Sequence, residues 1–250
     1  MTYASIMVAV DLTEGAANRM RVAGHLADDF HARLIGVAAE QPGYAALLND
    51  LRLAQAAFVE AAGGRGCIEW RSAIERPLPF LVAQAAAADL VVTGRSTAPE
   101  PARLAVDPAD ALMHLGRPVL VVPPDVDHLD AKRVVVAWKY TREARRAVLD
   151  ALPFLKRASE VLVVSIDEGA VSDGQDSLRL LQAHDIYAVC VRRDAFGASV
   201  AQALAEAAAE HGADLIVAGA YGRGRLREWV FGGVTRDLLA ATPVCCLMSH

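Results

Sequence analysis

Short apolar runs alternate with longer amphipathic stretches along the whole chain. Residues 5–11, 33–39, 67–73, 89–93 and 118–122 are rich in Val, Ile, Leu and Ala and predict strands. Between the first of them, 15–30 carries Ala16, Met20, Ala23 and Ala27 at helical spacing, and 45–62 and 77–87 also predict helices. Pro77 suits a helix start, where the missing N–H would have no partner in any case. Beyond residue 132 the alternation returns. Strands are predicted near 133–138, 160–166, 186–192, 214–218 and 243–248, and helices near 141–157, 173–184, 197–212 and 230–241. The strands are continuous apolar runs, the mark of burial on both faces. With helices between them they predict an α/β fold of open, parallel, doubly wound sheets.

The second half repeats the first. Residues 6–13 (IMVAVDLT) are echoed by 134–141 (VVVAWKYT), 88–94 (ADLVVTG) by 213–219 (ADLIVAG), and 117–122 (RPVLVV) by 242–247 (TPVCCL). The matches keep one order and a spacing of 125 to 128 residues. A period that long indicates duplicated domains rather than a solenoid. Two modules are expected, at 1–124 and 131–250, each with five strands. The linker 123–132 opens with Pro123 and Pro124, which cannot continue a central strand.

Composition narrows the partners. The chain is 54% hydrophobic and 22% charged, with a net charge of −5, so it can build cores and has no global basic field for nucleic acid or anionic lipid. No apolar run approaches the ~20 residues of a membrane span, and the first residues show no basic-then-apolar leader. A cytoplasmic protein is expected, with neither membrane nor nucleic acid as partner. Cys67, Cys190, Cys245 and Cys246 form no CxxC pair and no zinc-like set, so no metal site is expected and the thiols read as buried. The seven histidines, among them His25, His31 and His250, stand beside no nucleophile elbow and read as non-catalytic. Trp138 and Trp229 read as packing residues or as pocket walls.

The most informative stretch follows the fourth strand of the second module, residues 219–235 (GAYGRGRLREWVFGGVT). In open α/β sheets ligands bind beyond the carboxyl ends of the strands. Glycines let backbone N–H groups approach an anion, and a helix start adds unpaired donors and partial positive charge. Gly232 and Gly233 precede such a start, and Thr235 adds a hydroxyl. Arg223, Arg225 and Arg227 make the loop basic, although the patch is too small and too poor in aromatics to suit nucleic acid. Neither GxxxxGK[ST] nor a first-strand GxGxxG occurs.

The spacing Gly219-x2-Gly222-x9-Gly232 resembles the G-x2-G-x9-G-(S/T) loop of the universal stress protein family. The layout of the whole chain is similar to its tandem bacterial members. The resemblance implies an adenine nucleotide α-hydrolase-like fold and ATP, with magnesium, held by Gly219, Gly222, Gly232, Gly233, Val234 and Thr235. Ala137 and Lys139, at the first-strand end, would lie near the nucleoside. It also implies a regulatory stress role without catalytic residues, at most weak ATPase activity, and pairing of modules or chains through the last strands as a homodimer or an intramolecular pseudo-dimer. Two positions depart from the family pattern: Gly233 replaces the Ser/Thr, and Lys139 replaces the first-strand acid. In the first module Asp11 keeps that acid, but Thr97, Asp107 and Pro108 stand where Gly222, Gly232 and Gly233 stand in the second. Proline lacks a donor and aspartate repels phosphate, so no triphosphate is expected there. Two readings stay open: one nucleotide site in the second module, or a stress-associated scaffold that binds none.

Overall fold

The computed structural model describes residues 2–42, 47–95, 104–166, 175–193, 199–221 and 233–250. The chain divides into two units, Thr2–Leu129 and Asp130–His250.

The first unit runs β1 (Ser5–Ala9), α1 (Ala16–Phe30), β2 (Arg33–Ala39), α2 (Leu47–Ala62), β3 (Ile68–Ala73), α3 (Pro77–Gln84), β4 (Leu90–Gly94), α4 (Pro108–His114) and β5 (Val119–Val122). Its strands lie in the order β3-β2-β1-β4-β5, every pair parallel. Met7 on the central strand sits between Ile35 and Val91, and Ile6, Met7 and Val8 have no exposed surface. The chain steps outward from β1 to β3, then crosses back to β4 and β5. Parallel crossovers are right-handed, so reversing the direction of travel moves the connecting helices to the opposite face. Accordingly α1 packs against α2, and α3 against α4.

The second unit repeats this with β6 (Arg133–Trp138), α5 (Arg142–Asp150), α6 (Leu152–Leu155), β7 (Glu160–Ile166), α7 (Gln175–Ala183), β8 (Ala188–Arg193), α8 (Val200–His211), β9 (Leu215–Gly219), α9 (Gly233–Ala241) and β10 (Cys245–Ser249). The order is β10-β9-β6-β7-β8, again all parallel.

The duplicated Ala-Asp-Leu motif has a structural use in both units. Asp89, just before β4, accepts from the N–H groups of Ala4 (2.8 Å) and Ser5 (3.1 Å) at the entry to β1. Asp214, just before β9, accepts from those of Asp130 and Ala131, both at 3.0 Å, at the entry to β6. Each carboxylate satisfies two backbone donors that no strand partner reaches and fixes where the first strand begins.

Three sequence expectations need correction. The helix expected over 141–157 is broken between α5 and α6, where Pro153 lacks an N–H and its ring would strike the preceding turn. The helix α4 stands in a stretch that periodicity left unassigned. The thiols are not all interior: Cys245 and Cys246 are buried, Cys190 is half-buried, and Cys67 is exposed in the turn before the edge strand β3. Burial pushes the Cys245 thiol far above its usual range, so it stays protonated. Among the described residues no helix is long and apolar enough to cross a membrane.

A close approach holds α2 on the sheet. A Cβ built on Gly36 of β2 would lie 2.8 Å from the ring of Phe58, which is 1% exposed. Gly36→Ala should therefore destabilise the first unit by about 1–3 kcal/mol through overpacking. In urea unfolding, adding Phe58→Leu to Gly36→Ala should cost less than the two single changes summed, because both act at one contact.

Candidate functional site

The order of strands reverses between β1 and β4 in the first unit and between β6 and β9 in the second. At such a switch point neighbouring connections leave on opposite faces, so a crevice opens at the carboxyl ends of the two strands. The two units furnish this crevice differently.

In the first unit the chain's own charges lie there. Asp11 follows β1, and its Oδ1 accepts from the Thr13 N–H (3.0 Å) and hydroxyl (2.5 Å). Its Oδ2 lies 2.8 Å from Arg19 Nη2, and the two side chains are only 8% and 4% exposed. The guanidinium lies over the end of β4: a Cβ on Gly94 would come 1.8 Å from Arg19 Nη1. Glycine at 94 thus accommodates an internal arginine. Burial would raise the Asp11 carboxyl, but Arg19 and the Thr13 bonds outweigh it and hold it below the usual carboxylate range. Nearby, α4 begins on its own anion. Asp107 is the N-cap and accepts from the Ala109 N–H at 2.7 Å, Pro108 is the first helical residue, and Asp110 lies in the first turn.

In the second unit Gly219 ends β9, and its missing Cβ makes room for α5. A Cβ there would lie 2.4 Å from the Ala144 nitrogen. Thr141 caps α5, accepting from that Ala144 N–H at 3.2 Å. Glu143, 1% exposed, sits in the same turn beside the Arg142 guanidinium. Burial opposes its ionisation, but the bonds from Arg142, from the backbone and from Thr141 hold its carboxyl below the usual range. Lys139 follows β6 on the surface, Trp138 is buried, and Ala137 is half-buried between Val164 and Ala218. A cavity of about 340 Å³ opens at the start of α5, lined by Tyr140, Thr141, Arg142, Glu143 and Arg145.

The start of α9 contrasts with that of α4. No acidic residue stands in its first turn. Gly233 is exposed, and among the described residues nothing outside its own helix and chain neighbours lies within 4 Å of where its Cβ would be. Thr235 is 5% exposed, and its Oγ1 accepts from the Tyr221 N–H at 3.3 Å. That bond ties the chain leaving β9 to the first turn of α9 at a residue with a left-handed backbone, φ 55°. The structure thus brings Gly219, Thr235 and the first turn of α9 to one switch point. Gly222 and Gly232, the arginines 223, 225 and 227, and Thr97 of the first unit lie outside the described residues.

Residues 168–250 match the model of the universal stress protein family. The C-terminal unit carries a universal stress protein domain. The likeness of fold extends over the whole chain. A universal stress protein from Archaeoglobus fulgidus DSM 4304 superposes with a TM-score of 0.74 at 16% identity, covering 98% of each chain. A functionally unknown protein from Pseudomonas aeruginosa PAO1 gives 0.64 at 17% identity, covering 99% of this chain and 92% of its own. A universal stress protein in complex with cAMP aligns at 27% identity and a TM-score of 0.40, over 50% of this chain and 100% of its own. No curated relative matches in sequence.

Beside the universal stress protein domain, the first unit holds the residue that sequence reasoning missed, Arg19. Its signal was present: it lies three residues after Ala16 and four before Ala23, on the buried side of α1. A charge on an apolar face calls for a buried partner. Arg19→Met should cost the first unit about 3–5 kcal/mol at neutral pH, because it strands the Asp11 carboxylate. Since the folded carboxyl is depressed, the pair's contribution is complete above about pH 4, the unfolded value, and is lost as pH falls through the lower folded one. Urea unfolding across that range should show the acid loss in the parent and a flatter profile in Asp11→Asn.

Proposed function

We propose that the universal stress protein domain binds an adenine nucleotide, ATP foremost, with its phosphates at the first turn of α9. The single observation that carries this reading is the difference between the two equivalent helix starts. The α4 start is filled by Asp107 and Pro108, whereas the α9 start presents backbone donors with no acid in its first turn. The donor set suits phosphate: main-chain N–H groups at Gly233 and Val234, the Thr235 hydroxyl, and the positive end of a nine-residue helix. Gly219, Gly222 and Gly232 would shape the loop around the phosphates. Lys139 and Ala137 would border the nucleoside end.

The reading is of a binding and regulatory module acting in stress rather than of an enzyme. The carboxylate at the switch point, Glu143, is bonded by its neighbours and depressed in pKa, which makes it a poor general base. The first unit, with its crevice taken by Asp11 and Arg19, serves as a structural partner. One observation favours a second reading, a scaffold that binds no nucleotide: Lys139 stands where an acid would meet the sugar.

Thermal unfolding with ATP, with and without magnesium, separates the two. A nucleotide at about 100 times its dissociation constant should stabilise the unit by about 2.7 kcal/mol. Carrying the first unit's solution across, as Gly232→Asp with Gly233→Pro, should abolish that shift. No shift at millimolar ATP in the parent chain supports the scaffold, and a shift that survives the double change places the nucleotide elsewhere.

A further inference from the structure

The segment that follows β5 in the first unit runs back along one face of α1. Pro124 lies against Gly15, where a Cβ would come 2.5 Å from the Pro124 Cα, and Gly15 itself has φ 80°. The Asn18 amide donates to the Pro124 carbonyl at 2.7 Å. Arg21 Nη1 lies 3.5 Å from Asp127 Oδ2. One turn further on, His25 and His128 bring their Nδ1 atoms to 3.0 Å. Positions 15, 18, 21 or 22, and 25 form one helical stripe, so the segment is matched to the helix contact by contact.

The last contact differs in kind from the others. Its ring centroids are 4.9 Å apart and the ring planes meet at 61°, so the imidazoles converge edge to edge rather than stack. Two neutral imidazoles can share one proton at this distance. They can also direct two lone pairs at one ion. An ion about 2.0–2.1 Å from each nitrogen would see them roughly at a right angle. That angle suits adjacent positions of a tetragonal or octahedral ion better than the wider angle of a tetrahedral one.

We propose that His25 and His128 form a two-imidazole site for a divalent ion of the nickel and copper class. The site pins the 123–129 segment to α1. Among the described residues no group of three or more His, Cys, Asp or Glu side chains could hold a metal. Water therefore completes the coordination, and the affinity depends on both rings. His25 is half-buried on a regular helix and His128 is exposed on the segment, so the ion has access from solvent.

Nickel titration of the full chain, read by calorimetry and by thermal unfolding, tests the site. One equivalent should bind at micromolar nickel and raise the unfolding temperature of the first unit. His25→Gln and His128→Gln should each remove both effects, and His184→Gln, on the second unit, should remove neither. His128→Gln changes an exposed side chain, so the test holds even if His25→Gln fails to fold. Undiminished uptake by His128→Gln, or no uptake by the parent chain at micromolar nickel, would overturn the proposal and leave the contact a shared-proton hydrogen bond.

Discussion

Everything local to this chain's chemistry depends on how the strand-order reversal is filled in each sheet. The crevice follows from topology: once crossovers are right-handed and the chain turns back across its own sheet, two strand ends are left without a covering connection. The backbone groups and helix starts around such a gap need partners. In the first unit the partners are internal, Arg19 on Asp11 and Asp107 on the start of α4. In the second unit α5 closes over Gly219, while the start of α9 is given no carboxylate by its own first turn. One duplicated architecture thus arrives at two electrostatic solutions.

Most of the fold was legible because its signals are local and periodic. Continuous apolar strands separated by helical stretches specify a parallel sheet, and β6 and β7 fall at residues 133–138 and 160–166, as the apolar runs imply. What escaped was set by single residues whose meaning depends on a neighbour. Asp107 and Pro108 were legible as hostile to phosphate. They are equally a capping aspartate followed by proline at the first helical position, which is how α4 starts. Pro153 breaks a stretch whose apolar pattern continues on both sides.

Of the candidate residues, the described ones stand at strand ends and at a helix start, and what presses on each was not legible. Gly94 and Gly219 occupy equivalent places, and each is glycine because something internal presses on it: a guanidinium in one unit and the backbone of α5 in the other. Neither demand shows in a glycine count, since both come from segments some 75 residues away in sequence. Gly233 is the opposite case: among the described residues nothing presses on the place of its Cβ, and no positive φ explains it. Lys139 was legible as a departure, and its surface position fits a charge that need not be paired inside a core.

The carboxylate that caps α4 has one more consequence. Because Asp107 is covalently part of the chain, its effective concentration at the helix start does not vary with what the surrounding solution contains. The start of α4 is thus capped at all times, whatever anions the solution holds.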